Sequence, residues 1–229
     1  MYIPYEHEKI PLVVINNFLP RDYISKLYTD FLSLKNHFGI PHWSSNYNDQ
    51  LAYNADEPLS PLCTGQDLWL PFERNDVRNN EIGFYLRNLN KYLFHQGILD
   101  FMTNCKNQEL NNYSKFRYDY KYHIINYGDG GYYNWHKDLT VNGFTWEGNE
   151  VNKQNAFTFA LTLVKDTNLL KGGDQYFMYK NETFVLPLAN NQLTIFPSSV
   201  FHSCSEITAD KNLDWEKKRF NIQAWLCHF

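Results

Sequence analysis

Hydrophobic and polar residues follow two different patterns in the first half of the chain. Residues 9–19, "KIPLVVINNFL", form an almost continuous apolar run with the length of a buried strand. In residues 20–34, "PRDYISKLYTDFLSL", apolar residues recur every three or four positions behind a Pro and Asp start, as in an amphipathic helix. A second stripe of helical spacing lies within residues 81–104. These patterns predict a buried strand and two helices.

From residue 114 onward the pattern changes to short runs with the period of a strand, separated by turn residues. Eight such runs are present: "KYHIINY", "YYNWHKD", "AFTFALTLV", "QYFMY", "FVLPL", "QLTIFP", "VFHSCSEIT" and "RFNIQAWL". In "AFTFALTLV" one face is large and apolar, whereas Thr158, Ala160 and Thr162 form a small face with room for a ligand. We therefore expect a mainly β fold with flanking helices (α+β), a double-stranded β-helix (jelly roll, cupin-like) with the N-terminal helices packed on one sheet.

The length of 229 residues suits one domain of a β-rich architecture. The stretch from about residue 39 to residue 80 is rich in Pro, Ser, Asn and Asp, but no repeat or low-complexity linker divides the chain. The sequence thus predicts a single domain over residues 1–229, with N-terminal helical support in 1–113 and a jelly-roll core in 114–229.

Charge and composition exclude several kinds of partner. The net charge is −4 with scattered Lys and Arg, so no nucleic-acid partner is expected. No apolar run is long enough to cross a bilayer and no signal-peptide pattern begins the chain, so we expect a soluble cytoplasmic protein without a membrane partner. The four cysteines form no Cys-x-x-Cys pair, which predicts free thiols. The sequence leaves the oligomeric state open.

Candidate chemistry appears in "YYNWHKD", directly behind the glycine-rich "YGDGG". On a strand His136 and Asp138 would project from the same face, because successive side chains alternate. A second histidine, His202, lies on a later predicted strand. Two neutral imidazoles and one carboxylate make a facial triad that leaves open positions on an Fe(II) ion.

The last predicted strand carries a second signal. Arg219, Asn221, Gln223 and Trp225 share one of its faces, opposite a face of apolar residues. If this polar face points inward, a buried Arg219 requires an anionic partner, because an unpaired buried charge is too costly.

These motifs together resemble the Fe(II)/2-oxoglutarate-dependent dioxygenases, in particular the prolyl 4-hydroxylase-like branch. The resemblance covers about residues 122–226, and its pieces occur in the family's order. They are "NYGDGGYYNWHKD", "KGGDQYF", "NNQLTIFPSSVFHSCSEIT" and "KRFNIQAWL". Four ordered pieces are far more specific than a single His-x-Asp pair.

The resemblance implies roles for six residues. His136, Asp138 and His202 would be the catalytic metal ligands, and Arg219 would pair with the distal carboxylate of 2-oxoglutarate, with Tyr127 and Thr162 as further cosubstrate contacts. The interval from His202 to Arg219 is longer than the family usually shows, so Lys211 is a rival anchor. We prefer Arg219, because Lys211 falls in a polar, turn-like segment.

The implied activity is hydroxylation of an unactivated C–H bond with Fe(II) and with 2-oxoglutarate and O2 as cosubstrates, and ascorbate as an allowed addition. The first substrate to test is a prolyl residue in a peptide or protein. The alternatives are a free amino acid or a small natural-product intermediate and, from another class, a non-catalytic jelly-roll module that binds a metal or ligand.

Three residues are candidates for substrate contact: Asn134, Trp146 and Trp225. Trp146 lies in residues 139–155, "LTVNGFTWEGNEVNKQN", a polar segment that we expect to be a long loop. Such a loop, next to a metal-binding strand, is either a lid over the substrate or a disordered surface excursion.

Overall fold

The computed structural model describes residues 4–39, 63–70, 83–112, 117–118, 122–139, 141–146 and 149–228. The helices are α1 Arg21–Leu34, α2 Phe84–Asn88, α3 Asn90–Leu93, α4 Gln96–Thr103 and α5 Gln108–Asn111. Among these residues, three short 3-10 turns occupy Lys35–His37, Thr167–Leu169 and Trp215–Lys217. The strands are β1 Pro4–Glu6, β2 Val13–Asn16, β3 Cys63–Thr64, β4 Gln66–Leu70, β5 Arg117–Tyr118, β6 Tyr122–Tyr127, β7 Tyr132–His136, β8 Val141–Trp146, β9 Asn149–Leu163, β10 Leu170–Gly172, β11 Gln175–Tyr179, β12 Glu182–Leu186, β13 Gln192–Pro197, β14 Phe201–Cys204, β15 Ile207–Ala209 and β16 Arg219–His228.

Two antiparallel sheets face each other. The major sheet has the order β1-β2-β13-β9-β16-β6-β4, with β5 on β16 and β8 on β9, and the minor sheet has the order β12-β11-β14-β7-β3. A third, two-stranded sheet joins β10 to β15. This arrangement confirms the predicted double-stranded β-helix, since the chain crosses repeatedly between the two sheets, as from β6 to β7 to β8 and from β12 to β13 to β14.

The helices cover the outer face of the major sheet, as the sequence predicts. Leu27 and Phe31 of α1, and the buried Leu and Met residues of α2–α4, form one core with the outward side chains of β6, β9, β13 and β16. Phe31 stacks on Phe220 with ring centroids 4.5 Å apart. A separate apolar cluster, which includes Phe177 and Phe196, lies between the two sheets. The face of the major sheet opposite the helices is therefore turned toward the minor sheet, and the space between the two sheets can hold a binding pocket.

Three sequence predictions need correction. The helix expected within residues 81–104 is divided into α2, α3 and α4, and His95, in extended conformation, interrupts it and caps α4 by accepting from Gly97. The run "VFHSCSEIT" is two strands in different sheets, β14 and β15. Residues 139–155 are not a long loop, because β8 pairs with the first part of β9 from Val141 opposite Gln154 to Trp146 opposite Asn149. The polar residues there are thus accommodated in a hairpin.

Two expectations from composition can be compared with the structure. Cys105 and Cys204 are buried free thiols, as expected, and Cys227 is buried as well. Within the described ranges, no helix combines the length and the apolar character needed to cross a bilayer.

Candidate active site

The two histidines meet across neighbouring strands of the minor sheet. His136 at the end of β7 is directly opposite His202 on β14. Asp138, two residues beyond His136, is buried like both histidines, while the intervening Lys137 is exposed. Asp138 Oδ1 lies 3.3 Å from His136 Nε2, and Asp138 Oδ2 lies 3.6 Å from His202 Nε2. One ligand atom from each of the three residues lies within 4.8 Å of the others.

A turn held by backbone hydrogen bonds precedes β7 and positions it. In the "YGDGG" segment Gly130 has φ +71°, a conformation that favours glycine, and its N–H donates to Ile207 O at 2.8 Å. Ile207 N–H in turn donates to Gly131 O at 2.8 Å. The chain therefore enters β7 from a turn anchored on β15.

Backbone carbonyls orient both imidazoles. His136 Nδ1 lies 2.7 Å from Asn134 O, and His202 Nδ1 lies 3.0 Å from Val200 O. An Nδ1–H that donates to a carbonyl leaves Nε2 as the atom available to a metal. Both Nε2 atoms are buried and have no hydrogen-bond partner within the described residues. Orphaned nitrogens aimed at a shared carboxylate fit a metal ion.

The electrostatics favour the protonation states that bind metals. Burial raises the pKa of the Asp138 carboxyl, but the neighbouring His202 and His136 imidazoles and the Thr158 hydroxyl outweigh it and hold that pKa well below its usual range. Burial, reinforced by His136, lowers the pKa of His202 to about 4. At neutral pH the site thus presents an ionised carboxylate beside a neutral His202, which are the forms that bind a divalent metal.

A β-bulge in β7 places the Tyr133 side chain beside His136. Between β7 and β14, His136 pairs with His202 but Tyr133 pairs with Cys204, so three residues of β7 span two of β14. The Tyr133 ring stacks on the His136 ring with centroids 3.9 Å apart and lines the pocket. Asn134, the predicted substrate contact, lies half-buried outside this lining. Simple alternation could not have indicated Tyr133.

Arg219 occupies the other end of the pocket. It begins β16, is 1% exposed, and its guanidinium lies over the Tyr127 ring at 5.1 Å from the centroid. Its Nη2 donates to Thr162 Oγ1 at 3.4 Å, while Nε and Nη1 have no partner within the described part of the chain. The rival anchor Lys211 is exposed in the turn after β15. The structure therefore brings Arg219, Tyr127 and Thr162 together and leaves Lys211 outside.

Gln175 is a pocket residue that sequence reasoning missed. Its Nε2 donates to Thr162 Oγ1 at 3.0 Å, and its Oε1 accepts from Thr194 Oγ1 at 3.1 Å. Thr162 thus accepts from both Gln175 and Arg219, so its own proton is available to an acceptor in the pocket. The available signal was the position of Gln175 on β11, two residues before the inward-facing Phe177.

A glycine turn places β11 where Gln175 can make these contacts. Gly172 has φ +76°, and a Cβ there would lie 2.1 Å from Glu206 O, so only glycine fits. This turn is the "KGGDQYF" motif of the sequence. It leads from β10, which pairs with β15, into β11, which pairs with the His202 strand β14.

Two further side chains contact the carboxylate of Asp138. Thr158 Oγ1 donates to Asp138 Oδ2 at 2.9 Å, and Trp225 Nε1 donates to the same oxygen at 3.2 Å. Trp225, predicted as a substrate contact, is 6% exposed and lies against the triad. The side chain of Trp146, the third predicted substrate contact, lies outside the described residues.

The lining between the two ends is mixed. Ala160, Phe177 and Phe196 supply apolar surface, and Asn221 and Gln223 supply amides from β16. This agrees with the small face predicted for β9 and the polar face predicted for β16. The arrangement can hold a metal at one end and an anion at the other.

Comparison with known proteins agrees with this geometry. Residues 122–227 match the model of the 2OG-Fe(II) oxygenase superfamily, a segment that runs from β6 to β16. This segment is similar to that superfamily, whose cofactor and cosubstrate are Fe(II) and 2-oxoglutarate, and His136, Asp138 and His202 could hold the metal ion. No curated protein matches the chain significantly.

Solved structures share the fold at low sequence identity. A Pseudomonas putida prolyl-4-hydroxylase has a TM-score of 0.59 and 13% identity, covering 96% of this chain and 94% of its own. A Trichoplax adhaerens prolyl hydroxylase in complex with a hypoxia inducible factor oxygen degradation domain peptide fragment has a TM-score of 0.54 and 17% identity, covering 95% and 84%. A non-heme α-ketoglutarate-dependent epimerase, SnoN of nogalamycin biosynthesis, has a TM-score of 0.56 and 11% identity, covering 95% and 78%.

Proposed function

We propose that this protein is an Fe(II)- and 2-oxoglutarate-dependent hydroxylase of an unactivated C–H bond, and that its substrate is a prolyl residue in a peptide or protein. The observation that carries the proposal is the pairing of two unsatisfied sites in one pocket. At one end, two buried Nε2 atoms and an ionised carboxylate converge, which is the donor set of a divalent metal site. At the other, Arg219 is buried without an anion among the described residues.

In this proposal His136, Asp138 and His202 hold the iron, which together with 2-oxoglutarate and O2 supplies the oxidising chemistry. Arg219 binds the distal carboxylate of 2-oxoglutarate through Nε and Nη1, because a planar guanidinium can donate two parallel hydrogen bonds. Thr162 donates its hydroxyl proton to the same carboxylate, and Tyr127 packs against the guanidinium. Phe177 and Phe196 exclude water beside His202.

The choice of a prolyl substrate has narrower support. The sequence motifs resemble the prolyl 4-hydroxylase-like branch, and two structures that share the fold are prolyl hydroxylases, one of them solved with a peptide. An ionised Asp138 also fits hydroxylation. Halogenating relatives in the family that the sequence resembles lack the carboxylate at this position, so that a halide can bind there.

A small-molecule substrate is the second candidate. The epimerase of nogalamycin biosynthesis has the same fold, so the architecture also suits chemistry on a compact natural product. The non-catalytic alternative fits less well, because a degenerate site has no need for both a complete ligand triad and an unpaired buried Arg219. We also propose that residues 1–229 form a single domain, with helical support in 1–113 and the catalytic core in 114–229. The same proposal places the protein in the cytoplasm.

The decisive experiment measures succinate formed from 2-oxoglutarate by the full-length protein, with and without Fe(II). We expect iron-dependent succinate in the wild type and only background in His136→Ala, because the triad loses a ligand. Lys211→Ala is the matched control and should retain wild-type turnover, since Lys211 is exposed outside the pocket. Iron-loaded protein that makes no succinate, alone or with candidate substrates, would support the binding module.

Substrate class is tested by mass spectrometry. Proline-containing peptides, free amino acids and small natural-product intermediates are incubated with protein, iron and 2-oxoglutarate, and products with one added oxygen are sought. Hydroxylated peptide supports the prolyl substrate. Modification of free amino acids or natural products alone would replace it with the second candidate.

The hairpin β8–β9 follows Asp138 directly, and we propose that it forms a lid over the substrate. Limited proteolysis tests this role. The hairpin should be protected when metal, 2-oxoglutarate and a substrate peptide are all present, and unchanged cleavage would assign it to the outer surface.

A further inference from the structure

Two residues on neighbouring strands of the major sheet donate hydrogen bonds to the carboxylate of Asp138. Thr158 on β9 and Trp225 on β16 are directly opposite each other in the sheet register. Both are buried, with exposed fractions of 0% and 6%. Both donate to the same oxygen of Asp138, Oδ2, at 2.9 Å and 3.2 Å. The Asp138 side chain thus spans the space between the sheets and contacts the major sheet through one oxygen.

The direction of these hydrogen bonds is determined by chemistry. An indole Nε1–H can only donate, so Trp225 must present a proton to Oδ2. The Thr158 hydroxyl also lies 3.0 Å from Ser198 Oγ, and Ser198 is fully buried. If Ser198 donates to the Thr158 oxygen, the Thr158 proton is directed at Asp138. Oδ2 then receives two protons and lies 3.6 Å from His202 Nε2, while Oδ1 lies nearer to His136, at 3.3 Å from its Nε2.

We propose that Trp225 and Thr158 are positioning residues that keep Asp138 a one-oxygen ligand, with Oδ1 toward the metal and Oδ2 occupied by the protein. This inference rests on the proposed function. A carboxylate that binds through one oxygen leaves one more coordination position than a carboxylate that chelates through both. Trp225 therefore acts on the metal ligand, in place of the substrate contact that the sequence predicted.

Isosteric variants separate the hydrogen bonds from the packing. Trp225→Phe keeps an aromatic ring but removes the N–H donor, and Thr158→Val keeps the branched shape but removes the hydroxyl. Thr158→Ser retains the hydroxyl and serves as the rescue. Trp215→Phe is the matched tryptophan control, since Trp215 is also 6% exposed and donates from Nε1 to Gln66 Oε1 at 2.9 Å, outside the pocket lining.

The measurements use the full-length protein without 2-oxoglutarate, loaded with a probe metal. Mn(II) affinity is measured by electron paramagnetic resonance, and the coordination of Co(II) by its visible absorption spectrum. Circular dichroism confirms that each variant is folded, and Thr158→Val with Thr158→Ser suffices if Trp225→Phe does not fold.

We expect Trp225→Phe and Thr158→Val each to weaken Mn(II) binding by roughly 10- to 100-fold, the usual effect of removing a partner of a metal ligand. Both should alter the Co(II) spectrum, as Oδ2 becomes free to chelate. Thr158→Ser should recover most of the affinity, and Trp215→Phe should match the wild type. Wild-type affinity and spectrum in both donor-deleting variants would overturn the inference alone. A wild-type protein that binds neither metal would overturn the proposed function and this inference together.

Discussion

The two ends of the pocket differ in how the protein compensates a buried charge. At the metal end the Asp138 carboxylate has donors from Thr158 and Trp225 and two imidazoles beside it. At the anchor end Arg219 is as deeply buried but has, in the described ranges, one hydrogen bond to a hydroxyl and no carboxylate. The described part of the protein therefore compensates the buried anion itself but provides no anion for the buried cation.

In the proposed function the cosubstrate is therefore part of the charge balance of the fold. A buried charge is tolerated only when it is paired, because desolvation costs more than isolated hydrogen bonds return. Truncation should thus destabilise the protein at the metal end and stabilise it at the anchor end, although both truncations impair activity. The predictions below test this contrast, starting with the largest effect.

Asp138→Ala should abolish iron-dependent succinate formation and also lower the thermal midpoint of the metal-free protein. The variant removes the acceptor shared by Thr158 and Trp225, and each buried donor left unsatisfied costs about 1–3 kcal/mol. Calorimetry of the chelator-treated protein measures the second effect. A metal-free variant that melts at or above the wild-type temperature would contradict the idea that the protein compensates this anion.

Arg219→Met should raise the concentration of 2-oxoglutarate needed for half-maximal turnover by roughly 30- to 4000-fold. This range corresponds to about 2–5 kcal/mol for removing one partner of a buried charge pair. The same variant should melt higher than the wild type without ligand, by about 2–4 °C for each kcal/mol recovered.

Lys211→Met provides the control for that substitution, since Lys211 is an exposed cation on the neighbouring turn. It should change neither the 2-oxoglutarate dependence nor the melting temperature. A large loss of 2-oxoglutarate affinity in Lys211→Met with little change in Arg219→Met would reverse the assignment of the anchor.

Acid should unfold the metal-free protein through the metal end. Burial lowers the pKa of His202 to about 4 from an ordinary value of 6.5, so between these values the unfolded chain binds a proton that the folded chain does not. The free energy of unfolding therefore falls as the pH is lowered through this window. The pKa of Asp138 is also lowered from 3.8, and its contribution is lost as the pH falls below that value.

Urea unfolding midpoints of chelator-treated protein, measured from pH 7 to pH 4, test this dependence. The variant His202→Gln should show a flatter slope, because it removes the titrating group. An equally steep slope in His202→Gln would place the acid sensitivity elsewhere in the molecule.

Gln175→Leu should have the smallest effect. It should raise the 2-oxoglutarate concentration needed for half-maximal turnover by roughly 2- to 12-fold. It removes the hydrogen bond that orients Thr162, and such a bond contributes about 0.5–1.5 kcal/mol. Gln192→Leu is the matched control, because the buried Gln192 donates to Asn16 outside the pocket lining and should leave the dependence unchanged. An unchanged Gln175→Leu would remove Gln175 from the anchor.

The local patterns of the sequence were sufficient for much of this site. Helix α1 matches the predicted residues within one position, because its apolar stripe and Pro-Asp start are properties of consecutive residues. Alternation along β16 placed Arg219 on one face with Asn221 and Gln223, and the structure shows that this face is buried. The motif order indicated the partners of His136, which the structure places at His202 and Asp138.

Other features depended on how distant strands pair. The bulge that places Tyr133 beside His136 arises from the pairing of β7 with β14, and no property of "YYNWHKD" alone specifies an extra residue. Likewise, Gln175 reaches Thr162 only because the two sheets face each other across the pocket.

The amino-acid sequence by itself determined which residues could bind a metal and which cation would require an anion, because residue chemistry and side-chain alternation are local. Only the tertiary structure decided that Thr158 and Trp225 would lie opposite each other and share one oxygen of Asp138. Their register depends on the pairing of β9 with β16 along the major sheet, and such long-range pairing is set by the packing of the whole core.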